Sequence, residues 1–161
     1  MFSFHEILDI AIRLERNGER IYRDAAGKIP DTQLASALEW MADEEVSHAG
    51  WFADLKKNEE SMDESGLQRE LSGQLLSSLM GEKSFSLDDV DFSKITQLSD
   101  LIELFIEFEK DTILFYEILE PFIQSRQTRT KLKQIITEER EHVDQLRTLL
   151  VSGPGILKKT D

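Results

Sequence analysis

Apolar residues recur at helical spacing, three or four apart, in four long stretches of the chain. In the first, Ile7, Leu8, Ala11, Ile12, Leu14, Ile21, Tyr22 and Ala25 share one stripe. Ser3 with Glu6 three residues later reads as a capping box that starts this helix, and Gly27 and Pro30 end it. A second predicted helix runs from an N-cap at Asp31 to about Lys57, striped by Leu34, Leu38, Met41, Ala42, Ala49, Phe52 and Leu55. The short connection through Lys28, Ile29 and Pro30 makes the two helices antiparallel neighbours. A third, from about Gln97 to Ile118, carries Leu98, Leu101, Ile102, Phe105, Ile106, Ile113 and Tyr116, and Pro121 marks its end or a kink. A fourth, from about Thr128 to Val151, carries Leu132, Ile135, Ile136, Val143, Leu146, Leu149 and Leu150.

The pattern divides the chain into a first helical hairpin over 1–57, a crossover over 58–95, a second hairpin over 96–151 and a tail over 152–161. The crossover is polar at its start and holds a shorter helical pattern from Leu67 to Met80; it is too short for a core of its own. The expectation is a single all-α domain, an antiparallel four-helix bundle with one long crossover between helices two and three.

Several polar residues interrupt the stripes. Glu15 lies in the first, Glu45 and His48 in the second, Glu109 in the third, Glu139 and His142 in the fourth. Glu45 and His48 form a Glu-x-x-His, which puts both side chains on one helix face, and Glu139 and His142 repeat it. One offset, 94 residues (139 minus 45), also carries Glu15 onto Glu109 and Tyr22 onto Tyr116. The chain therefore contains a duplicated hairpin. Glu44 and Glu138 share the offset and compete with their neighbours for the inward position. Glu138, however, has Lys131, Gln134, Glu141 and Gln145 on its face, whereas Glu139 has Leu132, Ile135, Ile136, Val143 and Leu146. Glu139, and by symmetry Glu45, should point inwards.

Four carboxylates inside an apolar bundle require compensation, because an isolated buried charge costs many kcal/mol and like charges repel. No Lys or Arg lies on the stripes nearby. Two divalent cations would offset the four charges, and a shell of oxygen and nitrogen without sulfur suits iron or manganese, or a mixed pair. One Glu from each of two helices plus a Glu-x-x-His from each of the other two is a described ligand pattern of dinuclear iron and manganese bundles. The competing account is a metal-free interaction bundle whose glutamates and histidines are solvated pairs. Tyr22 and Tyr116 have two readings, as core aromatics or as hydrogen-bond donors that orient a ligand. His5, Glu19 and Glu107 read as ordinary surface groups, and Trp40 and Trp51 as packing or interface residues.

Composition narrows the functional classes. The formal net charge of −13 argues against a nucleic-acid partner. The absence of Cys excludes disulfides and thiolate metal sites. No apolar run is long enough to span a bilayer, and the N-terminus lacks the pattern of a signal peptide, so a cytoplasmic location is expected.

With these residues in view, the sequence resembles the ferritin-like diiron proteins of the rubrerythrin group. The resemblance is carried by the segments Leu14 to Tyr22, Asp43 to His48, Phe108 to Tyr116 and Thr137 to His142, and so covers all four helices. It implies a ferritin-like bundle with a left-handed crossover and two iron ions held by Glu15, Glu45, His48, Glu109, Glu139 and His142. It further implies reduction of peroxide or O2 at that centre, with ferroxidase or iron-storage activity as the alternative, and a homodimer. Two departures stand out. The four Cys of the rubredoxin segment are missing, so an external electron donor such as a rubredoxin-like protein is expected. The further carboxylate that many members carry one turn after the third-helix ligand is here Thr112, so the ligand exchange tied to that carboxylate is not implied. The tail has two readings, a loose end or a docking peptide, at Gly155 to Lys159, for a larger shell.

Overall fold

The computed structural model describes residues 4–58 and 98–151. Within them the chain forms helices α1 (Phe4–Ala26), α2 (Thr32–Lys57), α3 (Leu98–Leu119) and α4 (Arg126–Val151), with a 3-10 turn at Glu120–Phe122 and no strand element. The Ser3 cap, the crossover helix, the crossover's handedness and the tail lie outside the described residues.

Local chemistry accounts for the helix ends. Asp31 caps α2, its carboxylate accepting from the backbone N–H of Gln33 at 2.9 Å and of Leu34 at 3.2 Å. After α1 the chain closes with Gly27 N–H donating to the Arg23 carbonyl at 3.1 Å. Pro121 ends α3 rather than kinking it, since Leu119 is the last α-helical residue before the 3-10 turn. Helix α4 starts at Arg126, two residues before the expected Thr128. The Ser125 hydroxyl accepts from the Thr128 N–H at 3.2 Å and so caps a turn that the apolar stripe does not reach.

Backbone packing is closest within each hairpin, α1 on α2 and α3 on α4. Lys56 meets Asp9 at 2.5 Å and Arg23 meets Glu39 at 2.8 Å, which makes α1 and α2 antiparallel. Lys133 beside Glu120 and Arg140 beside Glu117 do the same for α3 and α4. The hairpins meet through side chains. Tyr22 reaches Glu109 while Tyr116 reaches Glu15, and His48 reaches Glu139 while His142 reaches Glu45. Each pairing is reciprocal, so the second hairpin is related to the first by an approximate two-fold axis through the centre. Leu38, Met41, Phe52, Ile102, Phe105, Leu132, Ile135 and Leu146 are buried around that axis. Full burial of one such side chain is worth roughly 1.5–3 kcal/mol. This apolar packing holds four charged stripes face to face.

Candidate metal centre

Helical spacing explains why each hairpin delivers three polar groups to the axis. Glu15 and Glu109 sit mid-way along α1 and α3; Glu45 with His48, and Glu139 with His142, are one turn apart on α2 and α4. All six are buried: Glu15, Glu109, Glu139 and His142 are wholly inaccessible, and Glu45 and His48 are 1% and 3% exposed. They form two overlapping sets. One is Glu15, Glu45, His48 and Glu139; the other is Glu45, Glu109, Glu139 and His142; in each, the ligating atoms all lie within 4.8 Å of one another.

The imidazoles face the centre with Nδ1. His48 Nδ1 is 2.9 Å from Glu139 Oε1 and 3.4 Å from Glu15 Oε2. His142 Nδ1 is 3.0 Å from both Glu45 Oε1 and Glu139 Oε2, and 3.4 Å from Glu109 Oε1. One N–H cannot serve three acceptors. Accordingly Glu15 Oε2, Glu45 Oε1 and Glu139 Oε2 are buried without a hydrogen bond despite their closeness to nitrogen, and Glu109 Oε2 is likewise buried without one. Orphaned carboxylate oxygens converging from four helices, with imidazole nitrogens among them, suit an oxygen- and nitrogen-preferring cation.

Outer contacts fix the six side chains. His48 Nε2 lies 2.6 Å from Glu138 Oε2, and His142 Nε2 lies 2.5 Å from Glu44 Oε2. Donation from Nε2–H to those carboxylates leaves the Nδ1 lone pair free for a cation. Glu138 is itself held by Gln134 Nε2 at 3.1 Å. The Tyr22 hydroxyl donates to Glu109 Oε1, and the Tyr116 hydroxyl donates to Glu15 Oε1 at 2.6 Å. The tyrosines are thus both buried aromatics and donors to carboxylates of the opposite hairpin. Trp40, 44% exposed, sets its ring against His142 at 6.0 Å between centroids. Trp51 packs on Phe52. His5 and Glu107 are exposed, and Glu19 pairs with Arg23 at 3.0 Å.

Without cations, protons do the compensating. Burial, reinforced by the Glu139 charge, pushes Glu15 and Glu45 above the usual carboxylate range, Glu45 well above it. The same causes bring Glu109 to about 8. Burial would also raise Glu139, but the imidazoles of His142 and His48 beside it outweigh that and hold Glu139 well below the ordinary value. For the histidines burial acts downwards; the neighbouring carboxylates of Glu139 and Glu15 outweigh it and raise His48 to about 11, and those of Glu109 and Glu139 raise His142 to about 11. Without cations, closeness to both imidazoles favours the charged form of Glu139, while burial and the Glu139 charge favour the protonated forms of Glu15, Glu45 and Glu109.

Glu44 and Glu138 escaped the sequence reading as functional groups. On their own helices they face away from the apolar stripe and are part-exposed. What lies behind that stripe is the histidine of the other hairpin, and no spacing within one helix shows it. The available signal was the duplicated Glu-Glu pair itself, present at 44–45 and again at 138–139.

A family model, Rubrerythrin, matches residues 6–150. The chain belongs to the rubrerythrin family. Two solved structures resemble this rubrerythrin family member over nearly its whole length. One, from Thermotoga maritima, is described as a ferritin-like diiron-carboxylate protein; it is 22% identical, with a TM-score of 0.65, covering 93% of this chain and 95% of that one. The other, a hypothetical protein from Pyrococcus furiosus, is also 22% identical with a TM-score of 0.65, covering 94% and 92%. Both support the ferritin-like four-helix fold. No curated protein matches the sequence. Among the described residues of this chain, no helix is long and apolar enough to cross a membrane.

Proposed function

We propose that this rubrerythrin family member is a diiron-carboxylate oxidoreductase that reduces peroxide or O2. The observation that carries the reading is the sharing of Glu45 and Glu139 by both four-residue sets, which leaves each set one carboxylate and one imidazole of its own. Glu15 and His48 would hold one ion, Glu109 and His142 the other, with Glu45 and Glu139 between them. When bound, a pair of iron ions supplies one-electron redox steps and a place for a small oxidant to bind. The chain's own residues do the rest. Glu138 and Glu44 hold the histidine tautomers, Tyr22 and Tyr116 orient Glu109 and Glu15, and the apolar shell excludes bulk water. With no Cys in the chain, electrons would come from an external donor such as a rubredoxin-like protein. The protein is proposed to work as a cytoplasmic homodimer. A second reading, ferrous iron oxidation and handling, is favoured by the net charge of −13, which concentrates cations near the protein.

Protein purified anaerobically should contain two iron ions per chain and turn over peroxide or O2 when supplied with a reductant. A chain that takes up neither iron nor manganese overturns the reading. Uptake of many ions per chain into a shell-sized assembly favours iron handling instead.

The protons of the metal-free centre add a pH signature. Glu109 is raised from 4.5 to about 8, so its stabilising contribution is full below pH 4.5 and lost as pH rises through 8. The histidines, raised from 6.5 to about 11, contribute fully below 6.5 and lose it as pH rises through 11. Metal-free protein should therefore melt at a lower temperature at pH 9 than at pH 6. A divalent cation should reverse the trend, because it displaces those protons and binds more tightly as pH rises. A metal-free melting temperature that rises from pH 6 to pH 9 contradicts this account.

A further inference from the structure

Gly18 lies one turn after Glu15 on the buried face of α1, in mid-helix, where glycine weakens the helix relative to alanine. Its surroundings give a reason for it. A Cβ built on Gly18 would sit 2.9 Å from Glu45 Oε2, 3.2 Å from Glu45 Cδ and 3.3 Å from Phe108 Cε1. The Glu45 carboxylate rests on bare α1 backbone, walled by the Phe108 ring. The residue equivalent to Gly18 in the second hairpin, at the 94-residue offset, is Thr112, which is buried and donates its hydroxyl to the Phe108 carbonyl at 3.0 Å. The duplication therefore kept the acid, while the position that is bare backbone in the first hairpin carries a threonine side chain in the second.

We propose that Gly18 is a positioning residue: its missing side chain is the seat that holds the Glu45 carboxylate between the two four-residue sets. This rests on the dinuclear reading only for its effect on metal. The seat itself is a contact within the chain. The end of a glutamate side chain can swing aside, so a methyl group at position 18 should spare the fold. It should not spare the site, because Glu45 would leave the position from which it reaches both His142 and the Glu15 set.

The experiment uses the full chain with Gly18→Ala, Gly50→Ala and Glu45→Ala. Gly50 is the control, since a Cβ there meets nothing within 4 Å. In metal-free protein, Gly18→Ala should lower the melting temperature while Glu45 is present, and should leave it unchanged or raise it once Glu45→Ala has emptied the seat. Gly50→Ala should leave it unchanged or raise it in both backgrounds. Titration of the native and single-variant chains with cobalt(II), read by visible absorbance and by metal per chain, should show the second ion bound at least ten-fold more weakly by Gly18→Ala. Gly50→Ala should match the native chain. An identical effect of Gly18→Ala in both backgrounds overturns the seat, as does native cobalt uptake by Gly18→Ala. If the native chain takes up no cobalt, the dinuclear reading fails, and the metal-free comparison still decides the seat.

Discussion

In the first hairpin the carboxylate of the Glu-x-x-His, Glu45, lies against bare backbone at Gly18 and has one histidine nitrogen at 3.0 Å. In the second its counterpart, Glu139, has both histidines, His48 at 2.9 Å and His142 at 3.0 Å. The surroundings differ likewise. Trp40 sets its ring on His142, whereas the equivalent Gln134 holds Glu138. Arg23 binds Glu19, Glu39 and Asp43, whereas the equivalent residue of the second hairpin is an acid, Glu117, which binds Arg140. Duplication thus preserved the inward groups and left their supports free to diverge. A near-symmetric set of ligands then acquires an electrostatic bias, Glu139 favouring its charged form and Glu45, Glu15 and Glu109 their protonated forms.

The sharpest way to break this comparison is to remove the two acids in turn. Glu139→Ala leaves two buried imidazoliums without their common partner and should destabilise metal-free protein by about 3–5 kcal/mol. Glu45→Ala removes a carboxyl whose charge burial and neighbouring carboxylates already disfavour, and should cost less than about 2 kcal/mol. Urea unfolding of the two metal-free variants measures both, and equal losses would erase the asymmetry. Next come the carboxylates behind the histidines. Glu44→Gln and Glu138→Gln should each weaken cation binding by about 10–100-fold. Gln134→Ala should add a smaller loss through Glu138, and cation titration reads all three. The smallest effect tests where the hairpins agree. Tyr22→Phe and Tyr116→Phe should each cost about 1 kcal/mol, since each phenol donates one buried hydrogen bond to the opposite hairpin's glutamate. Clearly unequal losses would show that the asymmetry extends to these positions.

Much of this protein was written locally. Period and caps placed the helices, with Asp31 at the N-cap of α2 and Pro121 past the end of α3, because such signals act over three or four residues. The stripes marked Glu15, Glu45, His48, Glu109, Glu139 and His142 because an acid on an apolar face is an expensive exception wherever it occurs. Among the described residues the boundary furthest from its expected place, the start of α4, turned on Ser125, a cap outside the apolar pattern that located the other helices.

What the chain alone could not decide is which partner each group meets. Glu44 and Glu138 read as outward-facing because they are outward on their own helices. Only the antiparallel docking of two hairpins sets them behind the opposite histidines. The phenols of Tyr22 and Tyr116 could have ended in apolar core or on a carboxylate; the approximate two-fold relation of the hairpins sent each to the other's glutamate. Gly18 meets the Glu45 carboxylate only because α2 packs on α1. The sequence determines which residues face inwards, since helical period is a property of one segment. The tertiary structure decides what they touch there, since those contacts join residues about 90 positions apart, such as Tyr22 and Glu109, and exist only once both hairpins are packed.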